Sequence, residues 1–143
     1  MIKVLPITNF EILYLYHIYI NKIILPEVPM LLLKTDVVSL QACIKACITC
    51  AQACNKCFKA CLEKDNINEL KEALSILVDC AEICYVTAVY MSKDNTFSEE
   101  LSRSCAELCE KCASICERYE DLQCQASVEA CRQCAIECKV LSI

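Results

Sequence analysis

The sequence predicts an all-α protein: an antiparallel up-down-up-down four-helix bundle with a thiol-lined core over residues 36–143, preceded by a hydrophobic N-terminal extension over residues 1–35. Three observations carry that prediction. The 143 residues contain no glycine, and the three prolines, Pro6, Pro26 and Pro29, all lie in the first 30, so the usual helix breakers are missing downstream. Four long segments follow, joined by short polar links that are too short to hold two separate helical hairpins apart. Within those segments the 16 cysteines recur mostly every three or four residues, a spacing that puts each row on one helix face.

The first segment runs from about Thr35 to Lys64 and opens with the cap-type residues Thr35 and Asp36. In it Cys43, Cys47, Cys50, Cys54, Cys57 and Cys61 alternate steps of four and three. At 100° per residue they fall within an arc of roughly 80° and form a thiol stripe about 27 Å long. The second segment starts near Asn66, which makes a capping-box pattern with Glu69, and ends near Ser92. It carries Cys80 and Cys84, and Met91 projects on the same side. After the polar link of Lys93, Asp94 and Asn95, Thr96 and Glu99 make a second capping box. Glu99 and Glu100 suit the positive end of the third helix, which holds Cys105, Cys109, Cys112 and Cys116. The fourth segment begins around Asp121 and carries Cys124, Cys131, Cys134 and Cys138. Its opening break, Arg118 to Leu122, is the least marked. Ala73, Ser102 and Ser127 stand where the rhythm would place further cysteines.

Composition excludes several functions. Without glycine there is no phosphate-cradling loop, dinucleotide fingerprint or glycine-lined oxyanion turn. A net charge of −5 and a pI near 4.9 argue against a nucleic-acid partner. The single histidine, His17, lies far from the cysteines, which removes cysteine–histidine zinc motifs. A secreted disulfide framework would be rich in loops, and thiols lined up on one helix face cannot pair in bulk without distorting the backbone. Reduced thiols in the cytoplasm are expected instead. The extension holds all three prolines, His17, and Tyr14, Tyr16 and Tyr19. Its apolar run, Ile12 to Ile20, is shorter than the roughly 20 residues a bilayer requires, so no stable membrane span is expected. Lys3 is its one early basic residue, Glu11 precedes the run, and no small-residue cleavage site or twin arginine is present, so export is the weaker alternative to a cytoplasmic location. The extension is otherwise unassigned, and the abrupt change in composition offers as an alternative that Met30 is the true start and residues 1–29 stand outside the working protein.

The thiol stripes occupy the seam that leucine and isoleucine fill in an ordinary bundle. Sixteen thiols in phase exceed what small buried hydrophobes explain, and a core of such small groups would leave voids. Metal is the natural filler. With a metal–thiolate bond of about 2.3 Å, two sulfurs on one ion sit at most about 4.6 Å apart, within reach of one helix turn. Cu(I) is soft and selects thiolate and thioether ligands. One Cu(I) per thiolate leaves a neutral core, whereas zinc in four-thiolate sites leaves two buried negative charges each. A zinc or mixed-metal thiolate sink is the alternative. An iron–sulfur protein fits less well, because no three cysteines are spaced two and two. A thiol-redox enzyme would need an exposed thiol of low pKa, and these pairs lie mid-helix on inward faces. Lys45, Lys56 and Lys59 read as solvated faces, and no acid–base or nucleophile constellation is present, so catalysis is not expected.

The row from Ala42 to Cys61, reading ACIKACITCAQACNKCFKAC, resembles the copper storage proteins, a family of cysteine-rich four-helix bundles. So do the rows at Cys80 to Cys84, Cys105 to Cys116 and Cys124 to Cys138. The likeness covers roughly residues 36–140. It implies multiple Cu(I) ions per chain, with all 16 cysteines as ligands and Met91 as a thioether ligand near a bundle end. It also implies a homo-oligomer, a tetramer, loaded from one end, with copper chaperones or cuproenzymes as candidate exchange partners. Relatives commonly carry histidines before the fourth helix, where copper is admitted. Here that stretch, Glu117 to Gln123, offers Glu120 and Asp121, and carboxylates are poor Cu(I) ligands. Glu120 and Asp121 are expected to serve helix-end capping and solvation.

Overall fold

The computed structural model describes residues 30–93 and 96–142, with side chains from residue 37 onward. The chain divides into two units, Met1–Asp36 and Val37–Ile143. The apolar run Ile12 to Ile20 and His17 lie outside the described residues, as does the question of where the working protein starts.

Helix α1 spans Met30–Leu62 and so begins five residues before the expected Thr35. Met30, Leu31, Leu32, Leu33 and Lys34 are all strong helix formers, and together they outweigh the preference of Thr35 and Asp36 for a cap. Those two residues lie inside the helix. The Asn66–Glu69 pattern does not open a helix as a capping box. Asn66 precedes a 3₁₀ turn, Ile67–Leu70, and its amide donates to the Glu69 carboxylate at 3.0 Å rather than capping the backbone. The turn draws Leu70 into the core before helix α2, Lys71–Ser92, begins. Helix α3, Ser98–Cys116, likewise starts two residues past Thr96, with Phe97 at its N-cap and no side-chain cap. Glu99 pairs with Arg103 one turn on, at 3.1 Å, instead of reaching back to Thr96. Helix α4, Leu122–Leu141, opens as expected: the Asp121 carboxylate accepts from the Gln123 N–H at 2.8 Å, a cap that stabilises by about 1 kcal/mol.

The sulfurs set the register. Cys43 lies beside Cys138 and Cys57 beside Cys124, so α1 and α4 are antiparallel. Cys80 meets Cys109 and Cys84 meets Cys105, which makes α2 and α3 antiparallel. Cys80 beside Cys131 and Cys84 beside Cys134 make α2 and α4 parallel. The result is the expected up-down-up-down bundle, and every regular element among the described residues is helical.

Cysteine and alanine make up most of the core. Its bulk comes from a few aliphatics, Leu70, Ile76, Leu77, Ile115 and Val128, and from Met91. Lys45, Lys56 and Lys59 are exposed, as expected. Surface ion pairs tie the outside together: Arg118 with Glu72 at 2.9 Å, Arg132 with Glu117, and Lys139 with Glu110. Being solvated, each contributes under about 1 kcal/mol. Two helical stretches, Val37–Leu62 and Ile67–Ser92, are long and apolar enough to cross a membrane by length and composition. In the bundle their cysteines face inward, so much of that apolarity belongs to the core.

Candidate metal centre

All 16 cysteines are free thiols and all are buried, so no disulfide framework forms. Fourteen have no accessible surface, while Cys61 keeps 2% and Cys124 1%. Each row therefore points where its helical spacing directed it, into the bundle axis.

The sulfurs approach one another across helices at distances matching metal–thiolate geometry. Cys50 lies 3.5 Å from Cys131, Cys84 3.6 Å from Cys109, and Cys80 3.7 Å from Cys109. Three sulfurs around one ion at about 2.3 Å would sit about 4.0 Å apart, so the helices need little movement to bind. Four four-thiol groups, each with its sulfurs mutually within 4.8 Å, follow one another along the axis. The first is Cys47, Cys105, Cys134 and Cys138, and the second is Cys84, Cys105, Cys109 and Cys134. The third is Cys50, Cys80, Cys84 and Cys109, and the fourth is Cys50, Cys54, Cys80 and Cys131. Each group shares two thiols with the next: Cys105 and Cys134, then Cys84 and Cys109, then Cys50 and Cys80. A fifth group, Cys57, Cys61 and Cys124, stands apart.

Hydrogen bonds between thiols sort the 16 into three sets. Cys43, Cys47, Cys50, Cys54, Cys80, Cys84, Cys105, Cys109, Cys131, Cys134 and Cys138 form one connected pool. Cys57, Cys61 and Cys124 form a triad, with Cys57 and Cys124 only 3.1 Å apart. Cys112 and Cys116, 4.0 Å apart on α3, form a pair. Ala73, Ser102 and Ser127, which interrupt the cysteine rhythm, are each fully buried in the same rows. Thr87 belongs with them, although the sequence reading passed over it. It lies seven residues after Cys80 and is fully buried, and its hydroxyl has no hydrogen-bond partner among the described residues. Met91 is 1% exposed and lies near the C-terminal end of α2, the end of the bundle away from Cys61 and Cys124.

At the other end, Cys61 and Cys124 line a cavity of about 320 Å³ together with Lys64, Tyr119, Glu120 and Asp121. Lys64 and Asp121 pair across it at 2.6 Å, and the ammonium holds the Asp121 carboxyl below the usual carboxylate range. Asp121 thus combines capping with an ion pair, in keeping with the role expected for it, while Glu120 is exposed.

Burial pushes the Cys61 and Cys124 thiols from the ordinary 9.0 up to about 12. In that window the unfolded chain releases protons that the folded chain retains, so stability falls as pH rises. The reduced, metal-free protein is therefore expected to keep this contribution in full below pH 9.0 and to lose it progressively between 9.0 and about 12. Denaturation midpoints against pH under reductant read this directly, and a flat profile above pH 9.0 would contradict it.

The model of the copper storage protein family matches residues 36–142. No curated protein matches the chain. Among solved structures, the Cu(I)-bound copper storage protein BsCsp3 is 36% identical with a TM-score of 0.71, covering 73% of this chain and 99% of that one. Apo copper storage protein 3 from Bacillus subtilis is 37% identical with a TM-score of 0.67, covering 72% and 98%. A cytosolic copper storage protein from Streptomyces lividans, caught during loading with five coppers, is 30% identical with a TM-score of 0.74, covering 76% and 96%. With the thiol rows and the bundle that carries them both accounted for, the chain belongs to the copper storage protein family.

Proposed function

We propose that this chain stores Cu(I) in the cytosol, holding multiple ions on the cysteine thiolates of the bundle core and catalysing no reaction. The observation that carries this is the sharing of thiol pairs between successive four-sulfur groups. Isolated four-thiolate sites need disjoint ligands, and at most three of the five groups are disjoint. Shared sulfurs are what bridging thiolates supply, and bridging lets ions outnumber discrete sites. Charge favours the same ion: the nearby lysines Lys45, Lys56 and Lys59 are all exposed, so nothing cationic offsets a buried zinc tetrathiolate. One Cu(I) per thiolate leaves the core neutral.

Its ligands are the 16 cysteines, with Met91 adding a thioether at the end of the bundle away from Cys61 and Cys124. Each thiol gives up its proton as the ion binds, so loading releases acid. The expected homo-oligomer, a tetramer, is part of the proposal, and exposed Val78, Tyr85, Val86 and Val89 on α2 give it an apolar face. Copper chaperones or cuproenzymes are the proposed exchange partners. Anaerobic Cu(I) titration of the reduced protein, read by native mass spectrometry with a competing chelator, tests the storage reading. Uptake of about one ion per thiolate is expected. Saturation near three ions per chain, with zinc competing successfully, would favour the zinc sink.

A further inference from the structure

The three thiol sets are not equally placed. The triad, Cys57, Cys61 and Cys124, contains the only two thiols with accessible surface, and both line the cavity at that end. The pool of 11 lies deeper, and among the described residues no thiol–thiol hydrogen bond joins it to the triad. The register shows why. Seven residues before Cys80 on α2 stands Ala73, and between Cys124 and Cys131 on α4 stands Ser127, both fully buried. One level further in, α2 supplies Leu77. Neither helix carries sulfur across the gap.

Helix α3 does. Helices α1 and α3 run parallel with Cys50 3.9 Å from Cys109, so seven residues further along both, Cys116 stands level with Cys57. Cys112 lies between Cys109 of the pool and Cys116 on the same helix, at the turn where α1 passes Cys54. Cys112 and Cys116 are themselves 4.0 Å apart. On α1 the same gap falls on the three-residue step from Cys54 to Cys57. Four-residue steps bring sulfurs to 4.0 Å at Cys57–Cys61, Cys105–Cys109 and Cys134–Cys138, whereas no three-residue step makes a thiol–thiol hydrogen bond.

We propose that Cys112 and Cys116 are the relay by which Cu(I) passes from the triad beside the cavity into the deep pool. The inference rests on the storage reading. Transfer is ligand exchange without change of oxidation state. A Cu–S bond to Cys116 forms as the bond to Cys57 breaks, and the proton leaving the Cys116 thiol passes to the vacated Cys57 thiolate. The next step repeats this from Cys116 to Cys112, and from there to Cys54, Cys80 or Cys131. Ser127 is fully buried on α4 between Cys124 of the triad and Cys131 of the pool, so a thiol there would open a second route along that helix.

The test is stopped-flow uptake of Cu(I) from a coloured chelator complex, with residue-resolved alkylation reporting which thiols become protected. In the C112S/C116S protein, Cys61 and Cys124 should be protected at the wild-type rate, and deep thiols such as Cys84 and Cys109 at least about tenfold more slowly. Adding S127C to that background should bring deep filling back to within about a factor of two of wild type. A merely structural role for the pair would not produce that rescue. The single variant S127C, which leaves the pair intact, should speed deep filling and keeps the idea testable if the double variant folds poorly. Deep thiols filling at the wild-type rate in C112S/C116S, or no effect of S127C in either background, overturns the relay. Failure of the wild-type protein to take up more than about three ions overturns the storage reading instead.

Discussion

Loading the reduced protein with Cu(I) is expected to raise its unfolding free energy by about 4 kcal/mol for each ion whose Kd lies about a thousandfold below the free Cu(I) concentration. Two or three such ions rival the whole stability of a typical domain, about 5–15 kcal/mol. The physical reason lies in the core, where cysteine and alanine supply most of the buried side chains and few bulky aliphatics pack between them. Metal–sulfur bonds then do the work that leucines do elsewhere. Unfolded chain also binds Cu(I) through neighbouring cysteines, which subtracts from the gain. It cannot assemble a group such as Cys50, Cys54, Cys80 and Cys131, whose ligands come from three helices. Guanidinium midpoints of the metal-free, loaded and chelator-stripped protein measure the effect. Stripping should return the midpoint to its starting value, and equal midpoints before and after loading would sink the prediction.

The second large effect is expected at Leu77. It heads the fully buried side chains by size, in the stretch of α2 where Ala73, Ile76 and Leu77 replace sulfur. Leu77→Ala removes three heavy atoms from a place with little else to close the gap, and should cost the metal-free protein about 3–4 kcal/mol. Copper capacity should be unchanged, because Leu77 is no ligand. The urea midpoint should therefore drop at constant m-value while the Cu(I) titration endpoint holds. A cost below about 1 kcal/mol would show that the neighbouring helices collapse into the space.

Much of this molecule can be read from spacing. The alternating steps of Cys43 to Cys61 define one face of α1, and that face is buried from end to end. Asp121 announces the start of α4 because a cap is local, needing only its own carboxylate and the Gln123 N–H two residues on. The other cap signals fail for the complementary reason. Asn66 with Glu69, and Thr96 with Glu99, have the right residues, yet helices α2 and α3 start later, after Leu70 and Phe97. Around Asn66 the intervening 3₁₀ turn buries Leu70, and packing an apolar side chain outweighs the small gain from a cap. The start of α1 at Met30 shows summed helix propensity prevailing over two cap-type residues.

By itself the sequence determined the helices, the inward face of each and the kind of metal those faces suit, because period, side-chain chemistry and charge are all properties of a single chain segment. Which thiol meets which was decided only by the tertiary structure. A cysteine row is nearly identical after a slide of seven residues, so periodicity cannot choose between registers. The buried aliphatics and the lengths of the links make that choice. Once it is made, with Cys50 beside Cys109 and Cys57 beside Cys124, the sulfur-free stretch of Ala73, Leu77 and Ser127 lies between the triad and the deep pool, and α3 carries Cys112 and Cys116 along it.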